Sequence, residues 1–269
     1  MVLLERALAN LRADLQDLGS VLVAFSGGAD SAFLLAAAVR ALGADNVVAA
    51  SAVSPSLAQQ ELPAARAFAQ SLGVRHLTPG TDELDRDAYV ANGSDRCFHC
   101  KATLLDTLRP LAESLGLQHV ATGTNADDLV AGFRPGIKAA ADRQAVTPLK
   151  HLTKQQIREA SKQWGLVTAD KPALACLASR LAYGTPVTPA RLARVDRAEQ
   201  ALRERLDPRD VRVRDLGDDR ARVELDPAAL ARWTAASASV VQAEGFGDVE
   251  VREFRSGSMN ELLHITPAR

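Results

Sequence analysis

The run Val21-Leu22-Val23-Ala24-Phe25 passes directly into Ser26-Gly27-Gly28-Ala29-Asp30-Ser31, and Ala32 to Leu42 continues as an apolar stretch of helical length. A short β-branched apolar run with no polar alternation reads as a strand buried on both faces, as in a parallel sheet. Two glycines at its end let the backbone approach a ligand and take dihedrals closed to other residues. A glycine turn between a strand and a helix N-terminus presents unpaired N–H groups and the positive end of the helix dipole, which together make a phosphate cradle. No lysine follows these glycines, so the turn is not of the Walker type, and its spacing is not the dinucleotide fingerprint G-x-G-x-x-G.

The first two thirds of the chain alternate in the same manner. Strands are expected at Val21–Phe25, Val47–Val53, Val74–Thr78 and Gln118–Thr122. Helices are expected at Ala32–Leu42, at Ser56–Leu72 with a possible kink at Pro63, at Phe98–Leu115 with a bend at Pro110, and at Thr153–Trp164 with Thr153 as cap. Such alternation implies an α/β fold, a parallel sheet with helices on both faces, and ligands at the carboxyl ends of its strands. Turn residues concentrate at Tyr183-Gly184-Thr185-Pro186-Val187-Thr188-Pro189, which sets an expected boundary between domains 1–184 and 185–269. Beyond it, a helix over Ala190–Leu206, an antiparallel hairpin of Val211–Arg214 and Ala221–Leu225, a helix over Pro227–Gln242 and a strand Val249–Phe254 describe a small α+β domain.

The 269 residues suffice for one large domain or two modest ones, and a hydrophobic share of 47% is ordinary for a globular chain. No apolar run reaches the roughly 18 residues of a membrane span. Leu4, Leu8, Leu11, Leu15 and Leu18 stand at helical spacing among charges, which is an amphipathic helix and not a signal peptide. A cytoplasmic protein with no membrane partner is the expectation. The net charge is −1, and from Arg180 onward arginines and carboxylates balance, so no broad basic face for nucleic acid is expected.

Four constellations carry chemistry. The second glycine-bearing strand end is Thr122-Gly123-Thr124-Asn125-Ala126-Asp127-Asp128. Paired carboxylates beside a nucleotide commonly serve Mg²⁺, and Asp30 is a further oxygen donor; alternatively Asn125 and Asp127 cap the next helix. Cys97 and Cys100 form a C-x-x-C pair, with Cys176 as the remaining cysteine. An odd thiol count speaks against a disulfide framework. A zinc site would need a histidine such as His99, which is poorly placed between the cysteines to close a tetrahedron. Three thiolates on an iron–sulfur cluster would leave one iron open to sulfide or substrate. Alternatively these are plain thiols. Cys176 lies between Lys171 and Arg180, whose charges favour a thiolate nucleophile. Finally, Arg212 and Arg214 stand at alternate strand positions, with Arg222 and Arg255 near them in the same domain. Guanidinium forks suit phosphate, or these arginines pair with neighbours such as Asp215 and Glu224.

The pattern S-G-G-x-D-S after a strand resembles the PP-loop of the ATP pyrophosphatases. Together with Gly123–Asp128, Arg96–Lys101 and the stretch Pro172 to Gly184 around Cys176, it resembles the LarE family of ATP-dependent sulfur transferases over nearly the whole chain. That resemblance implies ATP held by Ser26, Gly27, Gly28, Asp30, Ser31, Gly123, Asp127 and Asp128, with Mg²⁺ on Asp30 and Asp128. It implies adenylation of a carboxylate of a small nucleotide, pyridinium-3,5-biscarboxylic acid mononucleotide, with loss of pyrophosphate. Displacement of AMP by sulfur then gives a thiocarboxylate of the nickel-pincer nucleotide pathway. In one-cysteine members the residue matching Cys176 gives up its own sulfur. The pair Cys97 and Cys100 departs from that pattern and resembles the branch in which three cysteines, here Cys97, Cys100 and Cys176, hold a 4Fe-4S cluster. Arg212, Arg214 and Arg255 match positions used for the substrate phosphate, and a homo-oligomer, trimer or hexamer, is implied. The alternative is a tRNA-thiolating PP-loop enzyme.

Overall fold

The computed structural model describes residues 2–132, 134–172 and 175–255. By contacts the chain divides into two compact units. The first holds residues up to Ser54, Gln60–Glu83 and Cys97–Leu174; the second holds Pro55–Gln59, Leu84–Arg96 and the chain from Ala175.

In the first unit, strands β1 (Val21–Ala24), β2 (Val47–Ala50), β3 (Arg75–Leu77) and β4 (His119–Ala121) form a parallel sheet in the order β3-β2-β1-β4. The register pairs Val21 with Val47 and with His119. Period-2 side chains split cleanly between two cores. Val21, Val23, Val47 and Ala49 join Phe25 against one layer, which contains Leu4, Leu11 and Leu15 of the helix Val2–Leu18, the helix Ala29–Leu42, Phe68, and Ile157 of the helix Lys154–Gln163. Leu22, Ala24, Val48, Ala50 and Val120 face Leu105, Leu108 and Ala112 of the helix Arg96–Ser114 on the other side. Both faces are covered, which is why the central strands carry no polar alternation. This is the expected α/β arrangement with helices on both faces.

The helix expected from Ser56 begins only at Glu61 and runs to Ser71. Residues 55–59 turn instead and belong to the second unit, where the Ser56 carbonyl accepts from the Leu177 N–H at 2.9 Å. Pro63 therefore occupies the first turn, where a helix has no use for the missing N–H, and it need not kink the helix. Strand β2 stops at Ala50, short of the expected Val53, which makes only an isolated bridge to Gly80.

The second unit is built on strands β5 (Val211–Asp215), β6 (Arg220–Leu225) and β7 (Asp248–Glu253), with β5 antiparallel and β7 parallel to β6. The helix Pro189–Leu206 is opened by Thr188, whose hydroxyl accepts from Arg191 N at 3.2 Å. Its Leu192, Val195, Ala198 and Leu202 are buried. The single helix expected over Pro227–Gln242 is two, Pro227–Leu230 and Ala235–Gln242, and Thr234 caps the second. Threonine favours caps over helix interiors because its hydroxyl bonds nearby backbone. Residues 84–96 share this unit through backbone bonds from Gly184 N to Asn92 O and from Val187 N to Val90 O. The unit thus takes in Ala175 to Gly184 and two earlier segments besides the residues after 184.

Candidate functional site

The turn after β1 is a closed net of short polar contacts. The Ser26 N–H donates to Ser31 Oγ at 3.3 Å, the two hydroxyls lie 3.0 Å apart, and Ser31 Oγ donates to the Gly28 carbonyl at 3.2 Å. Gly28 N–H donates to Ser26 Oγ at 3.3 Å. The two serines thereby brace the loop from within. Gly27 has φ +73°, and a Cβ there would meet Ala65 Cβ at 3.2 Å, so backbone geometry and space both call for glycine. Gly28 is the N-cap of the helix Ala29–Leu42 and offers no side-chain cap, which leaves the first-turn N–H groups free of an internal capping acceptor.

The second glycine-bearing loop lies against the first. A Cβ on Gly123 would stand 3.1 Å from Ser31 N and 3.3 Å from Ser31 Cα, so this glycine permits two backbones to touch. Adjacent pairing of β1 and β4 is what brings the two loops to one end of the sheet. Asn125 caps the one-turn helix Ala126–Val130 in a capping box with Asp128. Its Nδ2 also donates to Asp30 Oδ2 at 3.2 Å. Asp127 Oδ2 accepts from Lys154 N at 2.8 Å and so ties the loop to the next helix. Asp128 meets Lys154 Nζ at 2.9 Å and Arg134 at 3.7 Å. Burial, and then the neighbouring Asp128 carboxylate, raise the Asp30 pKa above 3.8, against the pull of Lys154 and Arg158. A buried carboxylate lying beside a second one is a fitting place for a hard divalent cation, which would relieve that repulsion. The arrangement thus fits Mg²⁺ on Asp30 and Asp128, while Asn125 and Asp127 also serve as caps.

Sequence reasoning overlooked a relay beside this loop. Ser51, just past β2, donates its hydroxyl proton to the Phe25 carbonyl at 2.6 Å. Its oxygen lies 2.8 Å from His76 Nε2. A hydroxyl has one proton, so His76 must be the donor, which fixes the Nε2–H tautomer. Burial, and then Arg66, hold the His76 pKa below 6.5. The relay pins the residue from which the glycine turn departs; no periodicity announces it, because its members come from three separate stretches of the chain.

Cys97 and Cys100 stand on the first turn of the helix Arg96–Ser114, three residues apart and hence on one face. Neither is in a disulfide; Cys97 is exposed and Cys100 half-buried. Lys101 follows them. Desolvation pushes its pKa below 10.5, although the side chain keeps some open surface, and Cys100, Asp128 and Cys97 pull the other way. Cys176 is an exposed thiol of the second unit at the N-cap of the turn Leu177–Arg180. Arg180 donates to its carbonyl at 3.0 Å and to that of Ala175. Lys171, the other cation flanking Cys176 in sequence, belongs to the first unit and bonds Glu61 and Gly27 O. Among the described residues no group of three or more His, Cys, Asp or Glu side chains is gathered to hold a metal ion.

Arg180, Arg212 and Arg214 of the second unit are buried. Arg214 bonds Glu224 through Nε at 3.0 Å and Nη2 at 2.8 Å. Arg180 grips Glu199 at 2.8 Å. Arg212 is buried, its guanidinium 5.5 Å from the Phe254 ring. Burial, and then the charge of Arg180, push its pKa down to about 10. Arg222 pairs with Glu250, and Arg255 is exposed. Ser256, Gly257 and Ser258, which follow Arg255, lie outside the described residues, as do Ala173 and Leu174 before Cys176.

The NAD synthase family model matches residues 3–96, which contain the first glycine turn. Over 262 residues, 95% of this chain and 94% of the relative, the sequence is 34% identical to the pyridinium-3,5-bisthiocarboxylic acid mononucleotide synthase of Lactiplantibacillus plantarum. The chain belongs to the LarE family of PP-loop enzymes. It is also 41% identical over 270 residues, 97% of this chain and 99% of the relative, to the uncharacterized protein slr1717 of Synechocystis sp.. Family membership makes this an ATP-using PP-loop enzyme. No helix among the described residues is long and apolar enough to cross a membrane.

Proposed function

We propose that this LarE-family protein adenylates a carboxylate of pyridinium-3,5-biscarboxylic acid mononucleotide and replaces one carboxylate oxygen by sulfur. The observation that carries the reading is the contact of two glycine-bearing loops at one sheet end, Gly123 against Ser31, beside the carboxylates of Asp30 and Asp128. The uncapped amides after Gly28 would hold the terminal phosphates, and Asp30 and Asp128 would hold Mg²⁺. Mg²⁺ held there would offset charge on the triphosphate and on the pyrophosphate that leaves. Carboxylate oxygen leaves poorly at neutral pH whereas AMP leaves well, so adenylation divides one hard substitution into two easier ones. In the second unit the depressed Arg212, with Arg214 and Arg180 near it, favours an anion, which suits a substrate phosphate; exposed Arg255 would assist.

None of the three cysteines is in a disulfide, and we assign Cys97, Cys100 and Cys176 to a 4Fe-4S cluster on the family resemblance. Such a cluster, when bound, leaves one iron open to a transferable sulfide. The exposure of Cys176 also suits the sacrificial route, in which its own sulfur is donated and the side chain becomes dehydroalanine. A homo-oligomer, trimer or hexamer, and a cytoplasmic location accompany the family reading. The test is anaerobic turnover with ATP, Mg²⁺, sulfide and the biscarboxylic mononucleotide, followed by mass spectrometry of nucleotide and protein. Thiocarboxylate formed in several equivalents per chain by an iron-bearing protein supports the reading. One equivalent per chain from an iron-free protein, with dehydroalanine at position 176, replaces the cluster by the sacrificial route. Pyrophosphate release only with tRNA present overturns the small-molecule substrate.

A further inference from the structure

The glycine turn lacks the lysine that follows a Walker loop, yet the fold supplies one from far along the chain. Lys171 Nζ donates to the Gly27 carbonyl at 3.0 Å and to Glu61 Oε2 at 3.0 Å. It reaches the loop across 144 positions of sequence. Its backbone is fixed as well. Arg158 donates to the carbonyls of Ala169 at 2.8 Å and Lys171 at 3.0 Å, which pins the segment carrying the lysine to the helix Lys154–Gln163. An ammonium has three N–H donors, and among the described residues these two acceptors are its partners. The side chain keeps 22% of its surface open and that of Glu61 15%, so the pair sits half-sheltered at the loop. A loop that binds polyphosphate through main-chain amides gains most from a point charge placed against it, which is what a Walker lysine provides.

Resting on the PP-loop reading above, we propose that Lys171 is the cation for the terminal phosphates of ATP, and that Glu61 is the resident anion holding it in place until the nucleotide arrives. The ammonium then contributes a charge-assisted bond to the β- or γ-phosphate while remaining against Gly27. Nothing in this role touches the α-phosphate, so the lysine distinguishes ATP and pyrophosphate from AMP.

Calorimetric binding of ATP, pyrophosphate and AMP to the full chain with Mg²⁺ tests this. Lys171→Met is expected to weaken ATP and pyrophosphate by about 10- to 100-fold, the worth of one charge-assisted bond, and to leave AMP within about twofold. Lys171→Arg should retain part of the ATP affinity. Glu61→Gln, which removes the competing carboxylate, should tighten ATP without changing AMP, and it serves where Lys171→Met fails to fold. Equal weakening of ATP and AMP in Lys171→Met, or unchanged affinity for all three, overturns the proposal, as does unaltered or weaker ATP binding in Glu61→Gln. Failure of the unsubstituted protein to bind ATP at all would instead overturn the PP-loop reading itself.

Discussion

The glycine loops of the first unit and the arginine-bearing sheet of the second handle charge in opposite ways. Around Gly27 and Gly123 the protein brings Asp30 and Asp128 together and leaves their repulsion partly uncompensated, so that burial and Asp128 raise the Asp30 pKa. Around β5 three interior carboxylates are each shared by two arginines: Glu199 by Arg180 and Arg203, Glu224 by Arg214 and Arg252, Asp215 by Arg191 and Arg194. All three carboxylates are essentially sealed from solvent, at 1%, 0% and 0% exposure. A buried charge persists when it is paired and hydrogen-bonded. The first region therefore keeps electrostatic strain that a cation could relieve, whereas the second spends its charge on internal order.

The sharpest way to break this contrast is at Glu224. Glu224→Ala removes the oxygen that accepts both the Nε and Nη2 bonds of Arg214, and a loss of about 3–5 kcal/mol is expected in urea unfolding. A loss below about 1 kcal/mol, the range of exposed pairs, would place those arginines functionally at the surface. Next is Gly123→Ala. The added methyl must displace the Ser31 backbone, with an expected cost of about 1–3 kcal/mol and weakened ATP binding in the same variant. Undiminished ATP affinity would separate the two loops functionally.

A smaller effect is expected at His76. Its folded pKa lies below 6.5, so the unfolded chain takes up the proton first as pH falls. Its contribution is complete above pH 6.5 and is lost as pH drops from there through the folded value. His76→Gln should flatten that acid decline in stability; an identical pH profile in both proteins would remove the relay from the account.

Much of the first unit was legible because buried parallel strands announce themselves as unbroken apolar runs and a glycine turn marks the ligand end. The elements that escaped have physical reasons. Residues 55–59 carry helical apolar spacing but bond to the second unit, and sequence spacing does not report a partner far along the chain. Thr234 breaks a helix that composition alone would have continued. The alternation of Arg212 and Arg214 marked their positions correctly, yet alternation is silent on whether a strand face meets water or a glutamate. Lys171 was legible only as a neighbour of Cys176; its bond to Gly27 is a tertiary fact.

The most direct measurement follows oxygen. With both carboxylates of the biscarboxylic mononucleotide labelled with oxygen-18, activation by attack on the α-phosphate carries one labelled oxygen into AMP when sulfur displaces it. Labelled AMP formed in step with thiocarboxylate is the expected result. Unlabelled AMP accompanying thiocarboxylate would mean that the carboxylate is never adenylated.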